Sequence, residues 1–149
     1  LNNFGIDNLV VLYSPSSKIE LKPLAKIASG GEKSRILLAV KSVFAKKNNL
    51  PTIIFDEIDS GTSGEIAESI GFLMKEMSIK IQIISITHLA QVASKGNYHF
   101  KVIKTNNNGN SKTNIIKLSK SDRIAEIASM ISGKKITNSA INQAEELLK

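Results

Sequence analysis

The sequence predicts an α/β fold in which a mostly parallel sheet is flanked by helices and a β-hairpin is added near the C-terminus. Two short apolar runs, residues 52–55 and 81–86, enclose a segment with apolar residues at helical spacing. This strand–helix–strand order is typical of a parallel sheet. Two alternating segments, 98–104 and 113–118, flank an Asn-rich stretch, which predicts a hairpin. A length of 149 residues is sufficient for one domain, 1–149, with its own core.

The N-terminal part is predicted to contain a strand followed by a helix. Residues 9–13 are apolar and largely β-forming, and the Ser- and Pro-containing turn after them closes a strand. Residues 22–24 are expected to be extended, because proline disfavours helical geometry in the residue before it. A helix opens at Ser29 and ends near residues 48–49. Its start is indicated by the capping-box spacing of Ser29 and Glu32, and its apolar positions are Ile36, Val40 and Val43.

The central part is predicted to form a β–α–β unit. Residues 52–55 are all apolar or β-branched, as in strands that are buried on both faces of a parallel sheet. In the Ser/Gly loop that follows, Thr62 and Glu65 have capping-box spacing. The helix after them carries an apolar stripe of Ile66, Ile70, Leu73 and Met77. The crossover to the second buried strand, 81–86, is expected to be right-handed.

The C-terminal part is predicted to contain the hairpin and two helices. Asn108–Gly109 has the composition of the hairpin turn. A helical stripe follows and is stopped by Gly133, and a last helix covers residues 139–148. The residues of the stripe are Ile124, Ile127, Ala128 and Ile131.

The amino-acid composition excludes some classes of function. The chain contains no cysteine, which excludes disulfides and thiolate metal sites. It has no apolar stretch long enough to cross a membrane and no signal peptide, so we expect a cytoplasmic protein. The net charge is +7, and residues 77–121 contain no acid but seven lysines. Such a segment is either a surface for a phosphate backbone or a solvated lysine-rich face. Aromatic residues are only 5% of the chain, which disfavours a stacking platform for single strands.

The clearest candidates for catalytic or metal-binding residues are Asp56 and Glu57, which end the first apolar strand. The carboxyl ends of parallel strands form the ligand-binding edge of a sheet. Asp56 there can hold Mg²⁺ through water, and Glu57 can orient or deprotonate an attacking water. The alternative is that one acid caps a turn while the other faces solvent.

Two further features suit a phosphate ligand. The run Ser29-Gly30-Gly31-Glu32 opens a helix, where exposed amides and the helix dipole favour an anion. A plain helix cap is the alternative. His88 follows the second strand through Thr87 and can donate a hydrogen bond to a terminal phosphate, although a lone histidine is commonly structural, as we expect for His99. Neither histidine has partners at the spacing of a zinc site.

All these features occur in one order, and together they resemble the C-terminal lobe of a P-loop ATPase head of the ABC type. Residues 29–32 resemble the signature loop, 53–57 the Walker B strand, 60–64 the D-loop, and His88 the switch histidine. The amino-acid sequences of residues 21–35, 55–64 and 86–93 are similar to those of an SMC-like, DNA-repair branch of that superfamily. The similarity continues through the C-terminal helices.

The chain departs from the transporter members of the superfamily. Transporters usually carry Leu and Gln at the ends of the signature and Asp in the D-loop, where this chain has Ala28, Glu32 and Ser63. The repair branch shares these changes. A phosphate loop needs Gly-x-x-x-x-Gly-Lys-Ser/Thr, and the chain's one Gly-Lys pair, Gly133–Lys134, lacks the rest of that pattern. The Walker A lobe is therefore absent, and we expect a piece of a longer protein or a degraded gene product.

The resemblance implies ATP and Mg²⁺ as cofactors. It also implies that ATP is sandwiched in a homodimer, that an N-terminal Walker A lobe is supplied by the same protein, and that DNA is a partner in double-strand-break repair and recombination. Asp56 would hold Mg²⁺, Glu57 and His88 would act on ATP of their own subunit, and the signature would contact ATP of the second subunit. Ser29 and the amides near Gly30 and Gly31 would make that contact. Glu32 and Ser63 are also implied to bind the cofactor, and the detailed role of Ser63 is left open. Alone, the chain is expected to be inactive. The alternatives are a non-catalytic basic DNA-binding remnant and the nucleotide-binding lobe of an ABC transporter.

Overall fold

The computed structural model describes residues 5–6, 9–14, 16–24, 30–48, 50–107, 110–133 and 135–149. Within these ranges the strands are β1 (Leu12–Tyr13), β2 (Lys22–Pro23), β3 (Thr52–Asp56), β4 (Gln82–Ile86), β5 (Phe100–Asn107) and β6 (Asn110–Lys117). The helices are α1 (Gly30–Asn48), α2 (Gly64–Met77), α3 (Ala90–Ala93), α4 (Lys120–Ser132) and α5 (Asn138–Leu147). The predicted α/β class is confirmed, with one parallel and two antiparallel strand pairs in the described part of the chain.

The N-terminal strand is shorter than the sequence predicted. β1 and β2 pair antiparallel over two residues each, with Leu12 opposite Pro23 and Tyr13 opposite Lys22. The extended geometry expected around Pro23 is therefore confirmed for β2. Residues 9–11, which were expected to belong to the strand, are exposed and lie outside it, although the Val11 carbonyl still accepts a hydrogen bond from the Leu24 amide at 2.9 Å.

Helix α1 ends at Asn48, as expected, but its buried face differs from the predicted one. Leu38 and Ala45 are each 2% exposed and belong to the main core. Val40 and Val43, which were expected to face inward, are 59% and 67% exposed. Apolar residues occur around most of this helix, so their spacing alone does not select the face that packs on the sheet.

The parallel pair β3–β4 packs against the main core. Every residue of β3 is paired in register with one of β4, from Thr52 opposite Gln82 to Asp56 opposite Ile86. The expectation that both strands are buried on both faces is wrong for this chain. Ile53 and Phe55 are buried in the main core together with residues of α1 and α2, but Ile54, between them in β3, is 58% exposed.

Helix α2 makes the crossover between the two parallel strands. Its buried residues include Ile70 and Met77, as predicted, whereas Ile66 is 46% exposed. The predicted capping box of Thr62 and Glu65 is wrong. The N-cap is Ser63, whose side chain makes no capping hydrogen bond, while the Thr62 hydroxyl instead donates to the carbonyl oxygen of Asp59 at 2.7 Å.

Close packing of α2 on α3 depends on Gly71. A β-carbon at Gly71 would lie 2.9 Å from the carbonyl oxygen of Gln91, closer than such atoms approach. The glycine therefore lets the two helices touch through their backbones. This contact matters for the site because α3 directly follows the loop that contains His88.

The C-terminal elements match the predictions closely. β5 and β6 form the antiparallel hairpin, from Phe100 opposite Lys117 to Asn107 opposite Asn110; the expected Asn108–Gly109 turn lies outside the described residues. α4 stops at Gly133 and α5 follows as the last helix. A second core joins α3 to these two helices and consists of Ala90, Ile127, Ala128, Ala140 and Ala144. In the described ranges, no helix is long and apolar enough to cross a membrane.

Candidate functional site

The parallel pair brings three of the predicted site residues to one edge of the sheet. Asp56 is the last residue of β3 and lies opposite Ile86, the last residue of β4. The backbone amide of Glu57 donates to the carbonyl oxygen of Ile86 at 3.0 Å, which extends the pairing by one residue. His88 stands two residues beyond Ile86, and all three candidate side chains, Asp56, Glu57 and His88, are exposed.

Glu57 adopts an unusual backbone conformation. Its φ is 47°, and it is the one non-glycine residue with positive φ in the described part of the chain. Left-handed geometry costs a residue with a β-carbon about 1–2 kcal/mol, and such strain is concentrated at functional sites. The turn that follows is closed by a hydrogen bond of 3.0 Å from the Ser60 amide to the Glu57 carbonyl. The chain thus bends sharply at the candidate base.

The N-terminus of α1 lies against this same turn. A β-carbon at Gly31 would be 3.4 Å from the carbonyl oxygen of Gly61 and 3.6 Å from that of Ser60. The glycine run that the sequence singled out is therefore next to the loop that follows the acid pair. A helix N-terminus presents unpaired amide groups, so this part of the molecule has donors suited to an anion.

The remaining predicted residues have different environments. Gly30 is exposed, and a β-carbon there would meet nothing within 4 Å. Glu32 is partly buried, and its carboxylate accepts a hydrogen bond of 3.4 Å from the hydroxyl of Tyr13 on β1. Ser63 is an exposed N-cap residue at the start of α2. Ser29, and with it the proposed capping box, lies outside the described residues.

One side-chain contact between the two loops was missed by the sequence analysis. Asp59, in the turn after Glu57, is 1% exposed, and its Oδ2 accepts a hydrogen bond from the hydroxyl of Thr87. The Thr87 oxygen in turn accepts from the backbone amide of Leu89 at 2.9 Å. Nothing in the sequence marked Asp59 as buried, because it stands among polar turn residues and carries no periodic signal.

His99, which lies away from this edge, has a pKa that is lowered by its surroundings. Burial lowers the pKa of His99, the nearby positive charges of Arg123 and Lys101 lower it further, and Glu126 opposes them. The Arg123 guanidinium donates to the carbonyl oxygens of Ser94 and Gly96 at 2.7 and 2.5 Å. This group ties the end of α3 to α4 and supports the structural role expected for His99.

Several lysines of the acid-free segment 77–121 have internal contacts. Lys95 lies over the ring of Phe72 at 4.4 Å. Lys117 lies over the ring of Tyr98 at 4.3 Å, and Lys101 pairs with Glu126 on α4. These lysines therefore contribute to packing and are not simply a solvated face.

The fold and the strand edge define the class of protein. No family model matches the chain, but its fold is that of the head domain of SMC proteins. A solved chain described as "Structural biochemistry of ATP-driven dimerization and DNA stimulated activation of SMC ATPases" has a TM-score of 0.64 and 26% identity, covering 91% of this chain and 80% of that one. The Smc head domain with an extended coiled coil from Pyrococcus furiosus has a TM-score of 0.60 and 29% identity, covering 77% of this chain and 28% of that one.

The sequence matches a particular member of this class. DNA repair protein RecN of Bacillus subtilis (strain 168) is 42% identical over 149 residues, which is 100% of this chain. The chain spans 26% of the length of that relative, and the matching region is the relative's C-terminal part. The chain is therefore a homologue of the C-terminal part of RecN.

Proposed function

We propose that the chain is the C-terminal lobe of the ATPase head of a RecN-like protein, which binds and hydrolyses ATP in DNA double-strand-break repair and recombination. The register of β3 and β4 carries the proposal, because it places Asp56, Glu57 and the loop of His88 at one edge. The likeness to a solved chain described in terms of ATP-driven dimerization of SMC ATPases supports a nucleotide as the ligand of that edge.

The chemistry of the donor set fits Mg²⁺ held mainly by water and phosphate. The described residues contain no cluster of three or more metal-ligating side chains, so a dedicated protein cage is not expected among them. Asp56 is exposed at the strand end, and no ion pair engages its carboxylate within the described ranges. Magnesium usually keeps several waters and uses one or two carboxylates. When bound, the ion would neutralise charge on phosphate oxygens.

The chain's own residues would supply the catalytic base and the contacts to the terminal phosphate. Glu57 would accept a proton from the water that attacks the terminal phosphate. His88 would donate a hydrogen bond to that phosphate. The start of α1 would bind the terminal phosphate of ATP held by a second subunit, through its amide groups. Ser29, Gly30 and Gly31 are proposed for that second contact, and Glu32 and Ser63 are also proposed to belong to the nucleotide-binding site.

Such a site requires partners that supply the missing contacts. An N-terminal lobe of the same protein would provide the Walker A loop, and a second subunit would complete an ATP-sandwiched homodimer. DNA would be the substrate of the whole assembly, in the cytoplasm at the nucleoid. By itself the chain should bind ATP weakly and hydrolyse almost none, because the main phosphate contacts belong to the other lobe.

The test uses an assembled head, meaning this chain mixed with an N-terminal lobe that carries Walker A. With Mg²⁺ and ATP, we expect association and turnover. Asp56→Asn should reduce ATP turnover by about 100-fold, and Glu57→Gln should do the same while preserving association. Glu65→Gln, an exposed carboxylate in the first turn of α2, is the matched control. Turnover that is insensitive to both strand-end substitutions would overturn the proposal.

A second function, a non-catalytic basic DNA-binding domain, is favoured by one observation. Lys104 and Lys112 are exposed on the hairpin, in a segment without acidic residues. That function predicts salt-dependent binding of duplex DNA by this chain without ATP, weakened when both lysines are changed to glutamine. Association of the assembled head without turnover would favour this function over the ATPase. A transporter lobe is disfavoured by Ala28 and Glu32 in the signature.

A further inference from the structure

The buried acid Asp59 lies between the two loops that form the candidate site. Its side chain is 1% exposed, although it belongs to a turn whose neighbours Glu57 and Ser60 are exposed. Burying a carboxylate is costly unless hydrogen bonds compensate it. A residue of this type in this place therefore indicates a specific contact.

That contact is with the residue before His88. The Thr87 hydroxyl donates to Oδ2 of Asp59 and accepts from the backbone amide of Leu89 at 2.9 Å. Thr87 and Leu89 flank His88 in the chain, so this hydrogen-bonded series holds both ends of the peptide segment that carries the imidazole. Leu89 is also the N-cap residue of α3.

The backbone of Asp59 is fixed as well. Its carbonyl oxygen accepts from the Thr62 amide at 3.1 Å and from the Thr62 hydroxyl at 2.7 Å. The other carboxylate oxygen, Oδ1, is buried and has no hydrogen-bond partner among the described residues. The side chain of Asp59 thus relies on Thr87, and the link between the loops depends on one hydroxyl group.

We propose that Asp59 and Thr87 are positioning residues that fix the loop of His88 relative to Glu57 during ATP hydrolysis. The inference rests on the proposed function. The main-chain pairing of β3 and β4 reaches only to Glu57 and Ile86, and the Asp59–Thr87 hydrogen bond continues the connection into the loops. Charge-assisted hydrogen bonds of this kind are stronger than neutral ones and set geometry, and small misplacements of reacting groups slow chemistry strongly.

The experiment measures kcat and KM for ATP in the assembled head with four variants. Thr87→Val keeps the shape and removes the hydroxyl, so kcat should fall by about 100-fold while KM for ATP changes little. Thr87→Ser restores the hydroxyl and should restore most of kcat. Asp59→Asn keeps an acceptor oxygen and should cost less than Thr87→Val. The combined Asp59→Asn and Thr87→Val variant should be no slower than Thr87→Val alone, since the two residues act as a unit.

Stability is separated from positioning by two comparisons. The combined variant buries no unpaired charge, so it should be more stable than Thr87→Val, yet its kcat should stay low. Met77→Ala, which truncates a buried core side chain next to the start of β4, at the end of the strand pair opposite the site, should lower stability and leave kcat near the parent value.

The outcomes separate the two proposals. Parent-like kcat in folded Thr87→Val or in the combined variant would overturn the positioning role while leaving the ATPase intact. An equal loss of kcat in Met77→Ala would also overturn it. A parent assembled head that turns over no faster than Glu57→Gln would overturn the proposed function, and the positioning role with it.

Discussion

The backbone amide of Glu57 donates to the carbonyl oxygen of Ile86 at 3.0 Å, one residue beyond the last paired position of the two parallel strands. The candidate base is therefore attached by main chain to the strand that leads to His88. Side-chain substitutions do not remove this bond. The backbone of the sheet thus fixes the position of the acid pair relative to the loop that contains His88.

Substitution of Glu57 by glutamine should stop hydrolysis without preventing closure. Gln keeps the size of the side chain but cannot accept a proton, so ATP stays bound and the assembled head remains dimeric. We expect turnover to fall by at least about 100-fold, with ATP-dependent dimers detected by light scattering. Normal turnover by this variant would count against Glu57 as the base, and Glu65→Gln should behave as the parent.

The positive φ of Glu57 makes a prediction about stability alone. At 47°, alanine pays the left-handed penalty and glycine does not. Glu57→Gly should therefore be more stable than Glu57→Ala by about 1 kcal/mol in urea unfolding of the chain. Both variants lack the carboxylate, so their difference isolates the backbone. Equal stabilities would show that the turn relaxes.

Gly71→Ala should destabilise the fold. Alanine is the better helix former by about 1 kcal/mol, but its β-carbon would lie 2.9 Å from the Gln91 carbonyl oxygen. Crowding of this type costs about 1–3 kcal/mol, so we expect a net loss in urea unfolding. Gly30→Ala is the control, because a β-carbon there meets nothing within 4 Å. A loss of equal size in both variants would contradict the role of close packing.

Stability should fall on mild acidification because of His99. Its pKa is lowered in the fold by burial, Arg123 and Lys101, against the opposing effect of Glu126. At pH values near and below the ordinary histidine pKa of about 6.5, the unfolded chain therefore binds more protons than the folded chain. The free energy of unfolding should decrease as the pH falls from about 7.5 through 6.5 and onward to the folded pKa, where this contribution levels off.

The measurement for His99 compares urea unfolding at several pH values. His99→Gln should reduce the pH dependence in this window, and His88→Gln, which leaves His99 in place, is the control. An unchanged pH profile in His99→Gln would assign the effect to other groups.

The elements with strong local signals were predictable from the sequence. The apolar runs and turn residues located β3, β4, the hairpin and the last two helices to within a few residues. The strand-end rule also anticipated the shared edge of Asp56 and His88, because adjacent parallel strands end on the same side. These features depend on contacts near in sequence or on a general rule of topology.

Features that depend on tertiary packing were not predictable. The outward position of Val40 and Val43 depends on which side of α1 meets the sheet, and the sequence of that helix is apolar on several sides. Helix α2 has Ser63 as its N-cap and not Thr62, and the Thr62 hydroxyl donates to the Asp59 carbonyl. Burial of Asp59 follows from Thr87, which is 28 residues away, and no local pattern reports a contact at that distance.

The equal length of β3 and β4 has a consequence for how the chain can vary. Exchange of one apolar residue for another inside either strand does not change the register, so the two strand ends remain opposite each other. An insertion or deletion of one residue would shift a strand end by about 3.3 Å and turn the following side chains to the opposite face. A change in the number of residues in either strand is therefore expected to disturb the candidate site more than an exchange of one apolar residue for another.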